Sequence, residues 1–375
     1  MTPLKIGIVV PFSWSYWGGV VEHAENQADA LRARGHDVRI VMGNDPPGYL
    51  TRLLHPRTGR HGELPPHVIP VGRSVVVPAN GSLPNIVLSP RCIGRIRQTL
   101  REERFDVLHL HEPMTPAICV AALALARCAL VATWHAAGEL GWMRGGVHVW
   151  GFLMDRIDQR IAVSRMAAES AERWLGPGFE IVPNGVVIPE RADPERREHK
   201  VVFIGRHDAR KGLPVLLRAW PEIRRRTGAR LRLIGTDPLQ FRLLHARMRF
   251  DEDGIDVLGI VTNEVRDAEL ATAKAFISPA LGGESFGMVL VEAFATATPV
   301  VASDIPGFAD VSTGEAAVLV PPGDESALAA AVTALLADEE RRIAMGRAAR
   351  TLAVERYSWD DVARRLEGIY ERVTA

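Results

Sequence analysis

The chain has 375 residues, of which 47% are hydrophobic and 24% are charged, so it is able to bury a large core and is not a disordered protein. Its 45 basic and 45 acidic residues give a net charge of zero, which excludes binding to nucleic acid through overall charge. The three cysteines, Cys92, Cys119 and Cys128, are too few for a disulfide framework or a paired-cysteine zinc site, and they indicate a reducing, cytoplasmic location.

The predicted elements alternate between short apolar runs and helical patterns, which is typical of βα units with buried parallel sheets. In the first half of the chain the predicted strands are 4–10, 38–42, 106–110, 130–134 and 161–163. A Gly-rich turn and a helix that ends at Gly35 follow the first strand. The segment 43–66 has no hydrophobic period and is rich in Gly, Pro, Arg and His, so we expect a long mobile loop there.

The second half repeats the pattern, with predicted strands at 201–204, 231–234, 255–258, 275–278, 300–302 and 318–320. The polar, proline-rich stretch 183–200 separates the two sets of strands. We therefore predict an α/β protein of two Rossmann-like domains, residues 1–183 and 184–359, whose parallel sheets face each other across a cleft. The end of the chain is helical with an interruption near 357–360, and we expect the last helix, 360–375, to pack back on the first domain.

No segment has the composition of a membrane span. The longest uncharged stretch, 113–126, falls well short of the roughly 20 apolar residues that a span requires, and it contains two prolines. The N-terminal apolar run is short and no small-residue cleavage site follows it. We interpret it as a buried first strand and not as a signal peptide.

The turn after the first strand contains Gly18 and Gly19, and ligands of open parallel sheets bind beyond the carboxyl ends of strands. Two glycines before a helix let backbone amides and the helix dipole face a phosphate, although an ordinary tight turn has the same sequence. The motif lacks the G-x-G-x-x-G spacing of dinucleotide-binding proteins. This absence disfavours an NAD-dependent oxidoreductase.

Arg206 and Lys211 follow the first strand of the second half. Lysine is rare in this chain, with four residues against 41 arginines, yet Lys211 lies directly beyond a strand. A guanidinium binds two phosphate oxygens and an ammonium acts as a point charge, so the pair is suited to clamp a diphosphate. The alternative is a solvated loop with incidental charge.

The segment 282–293 contains two glutamates. Glu284 precedes a helix predicted to begin near Phe286, and Glu292 lies two turns further on among apolar residues. Burying a carboxylate there without a partner is costly, and eight residues at helical rise separate the two glutamates by about 12 Å. One diphosphate spans that distance, with its terminal group near Glu284 and its ribose near Glu292. The alternative is a capped or paired structural carboxylate.

Three histidines lie near or just beyond the carboxyl ends of predicted strands. His109 and His111 have strand spacing, which suggests a metal site, but no third ligand beyond Glu112 is evident, so we interpret both as cleft or core histidines. His135 follows a strand and precedes small residues, which makes it the better catalytic candidate. The Asp-x-Asp of 251–253 comes before a strand and is interpreted as a solvated turn. No metal is predicted.

These motifs occur in an order that a known family shares. The chain carries GGV near its N-terminus, HLHEP at 109–113, a histidine after the next strand, PNGV, GR followed by RKG, and GGESFGMVLVEA followed by PVVASD. Over nearly its whole length it resembles family-4 retaining glycosyltransferases of the GT-B fold. Within that family WGGVVEH, the ANGS of 79–82, FDVLHLHEP and GGESFGMVLVEA are most similar to bacterial phosphatidylinositol mannosyltransferases, which use GDP-mannose at the cytosolic membrane face.

The resemblance implies a role for each candidate residue. The implied donor site comprises Gly18, Gly19, Arg206, Lys211, Glu284, Ser285, Phe286, Gly287 and Glu292. In it the Gly19 amide contacts the donor phosphate, Arg206 and Lys211 neutralise the leaving diphosphate, Glu284 holds sugar hydroxyls and Glu292 binds the ribose. With His135 beside the reacting sugar, the implied catalytic residues are His135, Glu284, Arg206 and Lys211. The implied reaction occurs on one face of the sugar, and the departing phosphate oxygen takes the acceptor's proton.

Three positions depart from the family pattern. Val187 stands where an Asp often follows PNGV, Ala297 stands where a Gly commonly ends the helix after the second glutamate, and LIGTDP at 233–238 lacks a second glycine. The last two departures bear on the placement of the donor.

The region from Arg52 to Arg104 contains nine arginines and three glutamates, a net charge of plus six. Within it Ile93, Ile96 and Leu100 form an apolar stripe between arginines, which predicts a helix packed on its sheet. The arginines that this helix shows to an anionic lipid are Arg95, Arg97 and Arg101, and His111 is placed on the same acceptor side. The alternative is an ordinary solvated helix face.

We therefore expect a retaining glycosyltransferase, independent of metal and of any cofactor, that binds a nucleotide sugar. The expected reaction moves mannose from GDP-mannose to phosphatidylinositol or another lipid-linked hydroxyl acceptor. The expected location is cytoplasmic and peripheral at the inner face of the cell membrane, with no nucleic-acid partner. The alternatives are a nucleotide-sugar 2-epimerase of similar fold, a glycosyltransferase that uses a UDP-sugar and a soluble acceptor, and a non-catalytic binding module.

Overall fold

The computed structural model describes residues 2–16, 18–54, 63–77, 84–89, 91–135, 147–195, 197–206 and 208–375. The chain divides into two compact units. Unit 1 consists of Met1–Gly185 together with Trp359–Ala375, and unit 2 consists of Val186–Ser358. The sequence led us to expect these boundaries at 183/184 and 359/360.

Unit 1 is built on a parallel sheet. Its strands are β1 Lys5–Ser13, β2 Asp37–Gly43, β3 Val68–Gly72, β4 Val75–Val76, β5 Asn85–Ile86, β6 Val107–His111, β7 Ala129–Trp134, β8 Gln159–Ala162 and β9 Phe179–Ile181. Its first six helices are α1 Gly19–Ala33, α2 Tyr49–Leu54, α3 Arg91–Glu103, α4 Ile118–Leu125, α5 Val147–Met154 and α6 Arg165–Leu175. The strand order is β3-β2-β1-β6-β7-β8-β9, and β4 and β5 form a small antiparallel addition at β1. This order confirms the predicted Rossmann-like arrangement.

Strand β1 is covered on both faces, as the apolar run in its sequence predicts. Ile6 and Ile8 belong to the cluster that α1 covers, whereas Val9 belongs to the cluster that α3 and α4 cover. Alternate residues of a strand point to opposite faces, so one short strand contributes to both layers of the core. The helices and the central strands therefore hold the carboxyl edge of this sheet in a fixed arrangement.

The sequence missed several short elements of unit 1. The segment 43–66, expected to be loop, contains α2, whose Thr51 hydroxyl donates to the backbone oxygen of Pro46 at 2.6 Å. Residues 55–62 lie outside the described part of the chain. Strand β3 contains Pro70, which argues against a strand in sequence but is tolerated because β3 is at the edge of the sheet.

Unit 2 has a second parallel sheet. Its strands are β10 Glu198–Ile204, β11 Arg230–Ile234, β12 Ile255–Gly259, β13 Ala273–Ser278, β14 Val300–Ser303 and β15 Ala317–Val320, in the order β12-β11-β10-β13-β14-β15. Its helices are α7 Leu213–Thr227, α8 Pro238–Met248, α9 Asn263–Thr272, α10 Met288–Ala295, α11 Pro306–Ala309, α12 Glu325–Ala337 and α13 Glu339–Leu352. Each strand lies where the apolar runs predicted it, because strands buried on both faces give an uninterrupted apolar signal.

The C-terminal helix returns to unit 1. A π-helical turn at Ala353–Tyr357 ends the helices of unit 2, and α14 Trp359–Thr374 follows. Its buried apolar residues include Val362, Leu366, Ile369 and Tyr370. The Glu367 carboxylate of α14 lies 2.6 Å from Arg34 Nη2 and 3.0 Å from His36 Nε2, which ties the helix to the end of α1. No helix among the described residues is long and apolar enough to cross a bilayer.

Candidate active site

Two histidines meet where neighbouring strands of unit 1 end. His111 is the last residue of β6, and His135 directly follows β7, the parallel neighbour of β6. Parallel strands end at the same edge of a sheet, so the two side chains come together. Nδ1 of His111 lies 2.7 Å from Nε2 of His135, and the Glu112 carboxylate accepts the backbone N–H of His135 at 2.9 Å.

A third histidine, His23, joins this pair from α1. Its ring centroid lies 5.3 Å from that of His111 and 4.7 Å from that of His135. The Asn184 side chain interacts with both His23 and His135, and it raises the pKa of each against the larger, opposite effect of burial. We refer to His23, His111 and His135 as the histidine trio. The sequence reasoning missed His23, although its position one turn into the helix after the Gly-rich turn was a usable signal.

His109 lies in the core behind the trio. Its Nδ1 is 2.6 Å from the Tyr370 hydroxyl of α14, and its Nε2 is 2.7 Å from the Thr133 hydroxyl. Its ring stacks on that of His111 with 4.9 Å between centroids and an interplanar angle of 6°. Both nitrogens of His109 are thus occupied by protein groups. His111, expected on the acceptor side, has no exposed surface either.

Burial keeps these imidazoles neutral. Removal from water lowers the pKa of His23 to about 4 and the pKa of His109 to about 3. For His111 and His135 burial is also the main reason that the pKa lies well below 6.5, and the neighbouring histidines lower it further. A neutral imidazole presents a lone pair, which serves a base or a metal ligand.

The Gly-rich turn leaves the start of α1 open. Gly18 is the N-cap in extended conformation, and α1 begins at Gly19. Both glycines are exposed, and a Cβ atom built on either meets no described atom within 4 Å. Amides in the first turn of a helix have no intrahelical acceptor and lie at the positive end of its dipole. This helix start is therefore suited to bind a phosphate.

The loop after β10 in unit 2 is fixed by close backbone packing. A 3₁₀ turn at Ala209–Lys211 ends in Gly212, which has a φ of +70°. A Cβ atom on Gly212 would lie 1.7 Å from the backbone oxygen of Pro279, the residue after β13. The backbone N–H of Leu281 also donates to the Arg210 oxygen at 2.7 Å. These contacts bring the carboxyl ends of β10 and β13 together.

The same contacts bring Lys211 to Glu284. Nζ of Lys211 lies 2.8 Å from Oε1 of Glu284, and the two side chains are 27% and 18% exposed. Arg206 is exposed at the end of β10, and it forms no ion pair with the described residues. The sequence assigned Lys211 and Glu284 to different groups of a ligand but did not predict that they pair with each other.

The glycine-rich segment enters α10 two residues later than predicted. The helix begins at Met288, whereas the sequence placed its start near Phe286, which is buried. Gly287 is the N-cap with a φ of +84°, and a Cβ atom there would lie 2.8 Å from the Phe308 ring. The left-handed conformation of Gly287 delays the helix, and it leaves Ser285 in the loop before the first turn.

Glu292, a residue of α10, has a protein partner. Its Oε1 lies 3.5 Å from Nη1 of Arg266, a residue of α9, and its side chain is 17% exposed. This is the paired carboxylate that the sequence offered as the alternative to ribose binding. The contact is longer than a direct hydrogen bond to a carboxylate usually is.

The basic helix α3 presents arginines, and it packs on the sheet through Ile96 and Leu100, two of the three residues of the predicted apolar stripe. Arg95, Arg97 and Arg101 are exposed. The predicted apolar stripe is wrong at Ile93, which is 45% exposed, because the buried positions include Cys92, Ile96 and Thr99. Residues 92, 96 and 99 also have helical spacing, so spacing alone did not decide between Cys92 and Ile93 as the buried residue of the first turn.

Some predicted features fall outside the described residues, namely the ANGS of 79–82 and the small residues 136–138. The Asp-x-Asp of 251–253 is described and precedes β12 as predicted. Its Asp253 accepts from Nε of Arg224 at 2.8 Å.

Comparison with known proteins decides the family. Residues 17–189 match the family model described as Glycosyltransferase Family 4, and residues 198–338 match Glycosyl transferases group 1. A phosphatidyl-myo-inositol mannosyltransferase of Mycobacterium leprae (strain TN) is 36% identical, with 99% of this chain and 97% of that protein covered. The chain belongs to glycosyltransferase family 4.

The glycosyltransferase has the predicted GT-B fold. Sucrose-phosphate synthase from Thermosynechococcus elongatus has a TM-score of 0.75 at 20% identity, with 98% of both chains covered. HepE of Anabaena, solved in complex with UDP and glucose, has a TM-score of 0.71 at 18% identity, with 98% of this chain and 100% of that chain covered. At these identities the likeness concerns the fold.

One departure of this glycosyltransferase from its family pattern has a visible backbone consequence. Ala297, just beyond α10, has a φ of +57° and is buried. Glycine adopts this left-handed conformation without a steric cost, whereas alanine does not. The chain therefore holds a strained residue at the position where the family resemblance led us to expect glycine.

Proposed function

We propose that this glycosyltransferase transfers mannose from GDP-mannose to a hydroxyl of phosphatidylinositol, with retention of configuration at the anomeric carbon. The observation that carries the proposal is the similarity, over nearly the full length of both chains, to the mannosyltransferase of M. leprae. Relatives with that name range from 33% to 36% identity to this chain.

The cations of unit 2 bind the leaving diphosphate. Arg206 is exposed and offers a planar fork, and Lys211 offers an ammonium held in place by its loop. When the diphosphate arrives it replaces Glu284 as the partner of Lys211. The released carboxylate of Glu284 then accepts hydrogen bonds from the sugar hydroxyls. The ion pair thus keeps both groups in position before the donor binds.

Other residues complete the donor site. The amide of Gly19, next to Gly18, binds a donor phosphate at the open start of α1. Ser285, Phe286 and Gly287 form the segment before α10, and their backbone groups line the donor site. Glu292, whose side chain is 17% exposed, accepts hydrogen bonds from the ribose hydroxyls, since a carboxylate is purely an acceptor when ionised.

The transfer occurs on one face of the sugar. The bond from the anomeric carbon to the phosphate oxygen breaks, the acceptor oxygen bonds to that carbon, and its proton passes to the departing phosphate oxygen. Arg206 and Lys211 stabilise the charge that develops on the diphosphate, so the step requires no metal ion. His135 lies beside the sugar, and its neutral imidazole avoids repulsion with an oxocarbenium-like ring.

The acceptor is drawn from a membrane surface. Exposed Arg95, Arg97 and Arg101 on α3 attract anionic lipid, and the exposed Ile93 adds an apolar contact. The protein is then peripheral at the inner face of the cell membrane, where phosphatidylinositol and a cytosolic nucleotide sugar are both accessible.

The proposed reaction is tested by incubating purified protein with vesicles that contain phosphatidylinositol and with either GDP-mannose or UDP-glucose. We expect a mannosylated lipid only with GDP-mannose, and an α linkage by NMR. Release of an epimerised sugar without acceptor identifies a 2-epimerase instead. Transfer only from the UDP-sugar, or only to soluble acceptors, contradicts the proposal.

The membrane surface is tested by vesicle flotation. The triple variant Arg95→Ala, Arg97→Ala, Arg101→Ala should bind anionic vesicles at least about tenfold more weakly, because each basic residue near such a surface contributes about 1 kcal/mol. A matched control replaces the exposed Arg242, Arg247 and Arg347 of unit 2 by Ala and should bind normally. Equal loss in both variants would show that net charge, and not α3, drives binding.

A further inference from the structure

The histidine trio has the geometry of a metal site. The three candidate ligand atoms of His23, His111 and His135 all lie within 4.8 Å of one another. If no two of the three atoms are farther apart than this, a point exists that lies within about 2.8 Å of all three. Zn–N bonds are about 2.0–2.1 Å long. Side-chain shifts of less than about 1 Å therefore bring all three nitrogens to bonding distance of one ion.

The trio is held by elements that fix its rings. His111 ends β6, His135 follows the adjacent β7, and His23 lies in α1, which packs on the same sheet. The Glu112 carboxylate accepts the backbone N–H of His135 at 2.9 Å, and the Asn184 side chain interacts with two of the three rings. Groups of this kind around a ligand set orient the imidazoles and select the nitrogen that binds.

A second observation is independent of the distances. The ring of His111 is completely buried, and its Nε2 has no hydrogen-bond partner among the described residues. A buried polar nitrogen without a partner carries a desolvation cost, and such groups are rare in folded proteins. With Nδ1 directed to His135, the present arrangement leaves one nitrogen of His111 unused. The site is thus incomplete with protein groups alone.

We propose that His23, His111 and His135 bind one first-row transition-metal ion, such as Zn²⁺, through three imidazole nitrogens, with a further position open to solvent or substrate. Imidazole ligands suit Zn²⁺, Cu²⁺ and Ni²⁺ and do not suit Mg²⁺ or Ca²⁺. The ion is not part of the transfer reaction. By immobilising the His135 ring, the bound ion inhibits the transfer reversibly. This inhibition rests on the proposed function, whereas the binding of the ion does not.

Binding is measured on untagged, EDTA-treated full-length protein with Zn²⁺ by calorimetry and with Co²⁺ by its visible absorption. We expect one ion per chain and the absorption bands of a four-coordinate nitrogen site. His23→Gln and His111→Gln each remove one of the ligands and should weaken binding by at least about 100-fold. The matched control is His199→Gln, which changes an exposed histidine of unit 2 and should bind like the unmodified protein.

Each outcome of the binding experiment either supports or overturns the proposed metal site. Circular dichroism establishes whether each variant is folded. If His111→Gln does not fold, the test is made with His23→Gln. No stoichiometric Zn²⁺ binding by the unmodified protein, or equal binding by His23→Gln, overturns the proposal. Weakening in His199→Gln as well assigns the ion to surface histidines and also overturns it. Because the titration contains no nucleotide sugar, failure here leaves the proposed mannosyl transfer unaffected.

Discussion

The ammonium of Lys211 lies 2.8 Å from a carboxylate oxygen of Glu284, and this pair joins the loop after β10 to the segment before α10. Both side chains are partly exposed, so the pair stabilises the fold by no more than about 1 kcal/mol. A weak pair of this kind is easily replaced by a ligand. Its position at the carboxyl ends of the strands is where ligands of such sheets bind.

Replacement of either partner should affect catalysis far more than folding. Lys211→Ala and Glu284→Ala should each lower kcat by at least about 100-fold, since each removes a group that stabilises the transferring sugar diphosphate. The free energy of unfolding should change by less than about 1 kcal/mol in either variant. Steady-state kinetics and urea denaturation measure the two quantities.

A matched control for these variants is Lys274→Ala, which removes a partly exposed lysine of β13 in the same unit. It should leave kcat unchanged. A normal kcat in Lys211→Ala or in Glu284→Ala would refute the role assigned to that residue.

Gly212 should tolerate no side chain. A Cβ atom there collides with the Pro279 backbone oxygen at 1.7 Å, and the backbone is left-handed. Gly212→Ala must therefore displace the loop that carries Lys211, and it should destabilise the protein by several kcal/mol. Gly228→Ala is the control, since Gly228 also has a positive φ but open space around its Cβ position, and it should cost only about 1 kcal/mol. Similar losses for the two variants would rule out the collision as the cause.

Ala297→Gly should stabilise the protein. The φ of +57° strains an alanine by about 1–2 kcal/mol, and glycine removes this strain. Glycine also gives the unfolded chain more conformational freedom, which lowers the gain in stability by about 0.4–1 kcal/mol. A net gain of about 0.5–1 kcal/mol is expected, measured as a rise in Tm. Ala295→Gly, two residues earlier and inside α10, should instead lower Tm. A lower Tm for Ala297→Gly would show that the strain is compensated elsewhere.

Tyr370 should make stability fall at alkaline pH. Its phenol is completely buried, its hydroxyl lies at hydrogen-bond distance, 2.6 Å, from Nδ1 of His109, and burial raises its pKa above 10. Above pH 10 the unfolded chain therefore loses this proton before the folded protein does. The stabilising contribution is complete below pH 10 and declines above it by up to about 1.4 kcal/mol per pH unit.

Denaturation curves at pH 8, 10 and 11 test this for Tyr370→Phe. The variant should be less stable at pH 8 by about 1–3 kcal/mol, because His109 loses its hydroxyl partner, and the difference should shrink as the pH rises. Tyr49→Phe changes an exposed phenol and should follow the unmodified protein at every pH. A constant difference between Tyr370→Phe and the unmodified protein would contradict the buried-phenol explanation.

Much of the candidate site followed from local pattern. Strands that are buried on both faces appear in sequence as continuous apolar runs, so β6, β7, β10 and β13 were found, and with them the residues at their carboxyl ends. That rule identified His111, His135 and Lys211 before any side chain was placed. Elements whose sequence lacks such a run, including α2 and β3, were missed.

The sequence by itself determined the two sets of βα units and the set of residues at the carboxyl edge of each sheet, because hydrophobic period and strand ends are local properties of the chain. Only the tertiary structure decided which of those residues touch. The approach of His23 to His111 and His135 and the pairing of Lys211 with Glu284 depend on packing between segments distant in sequence. The pairing also depends on the absence of a side chain at Gly212, where backbone meets backbone. No periodicity encodes such contacts, since each is fixed by how whole layers pack.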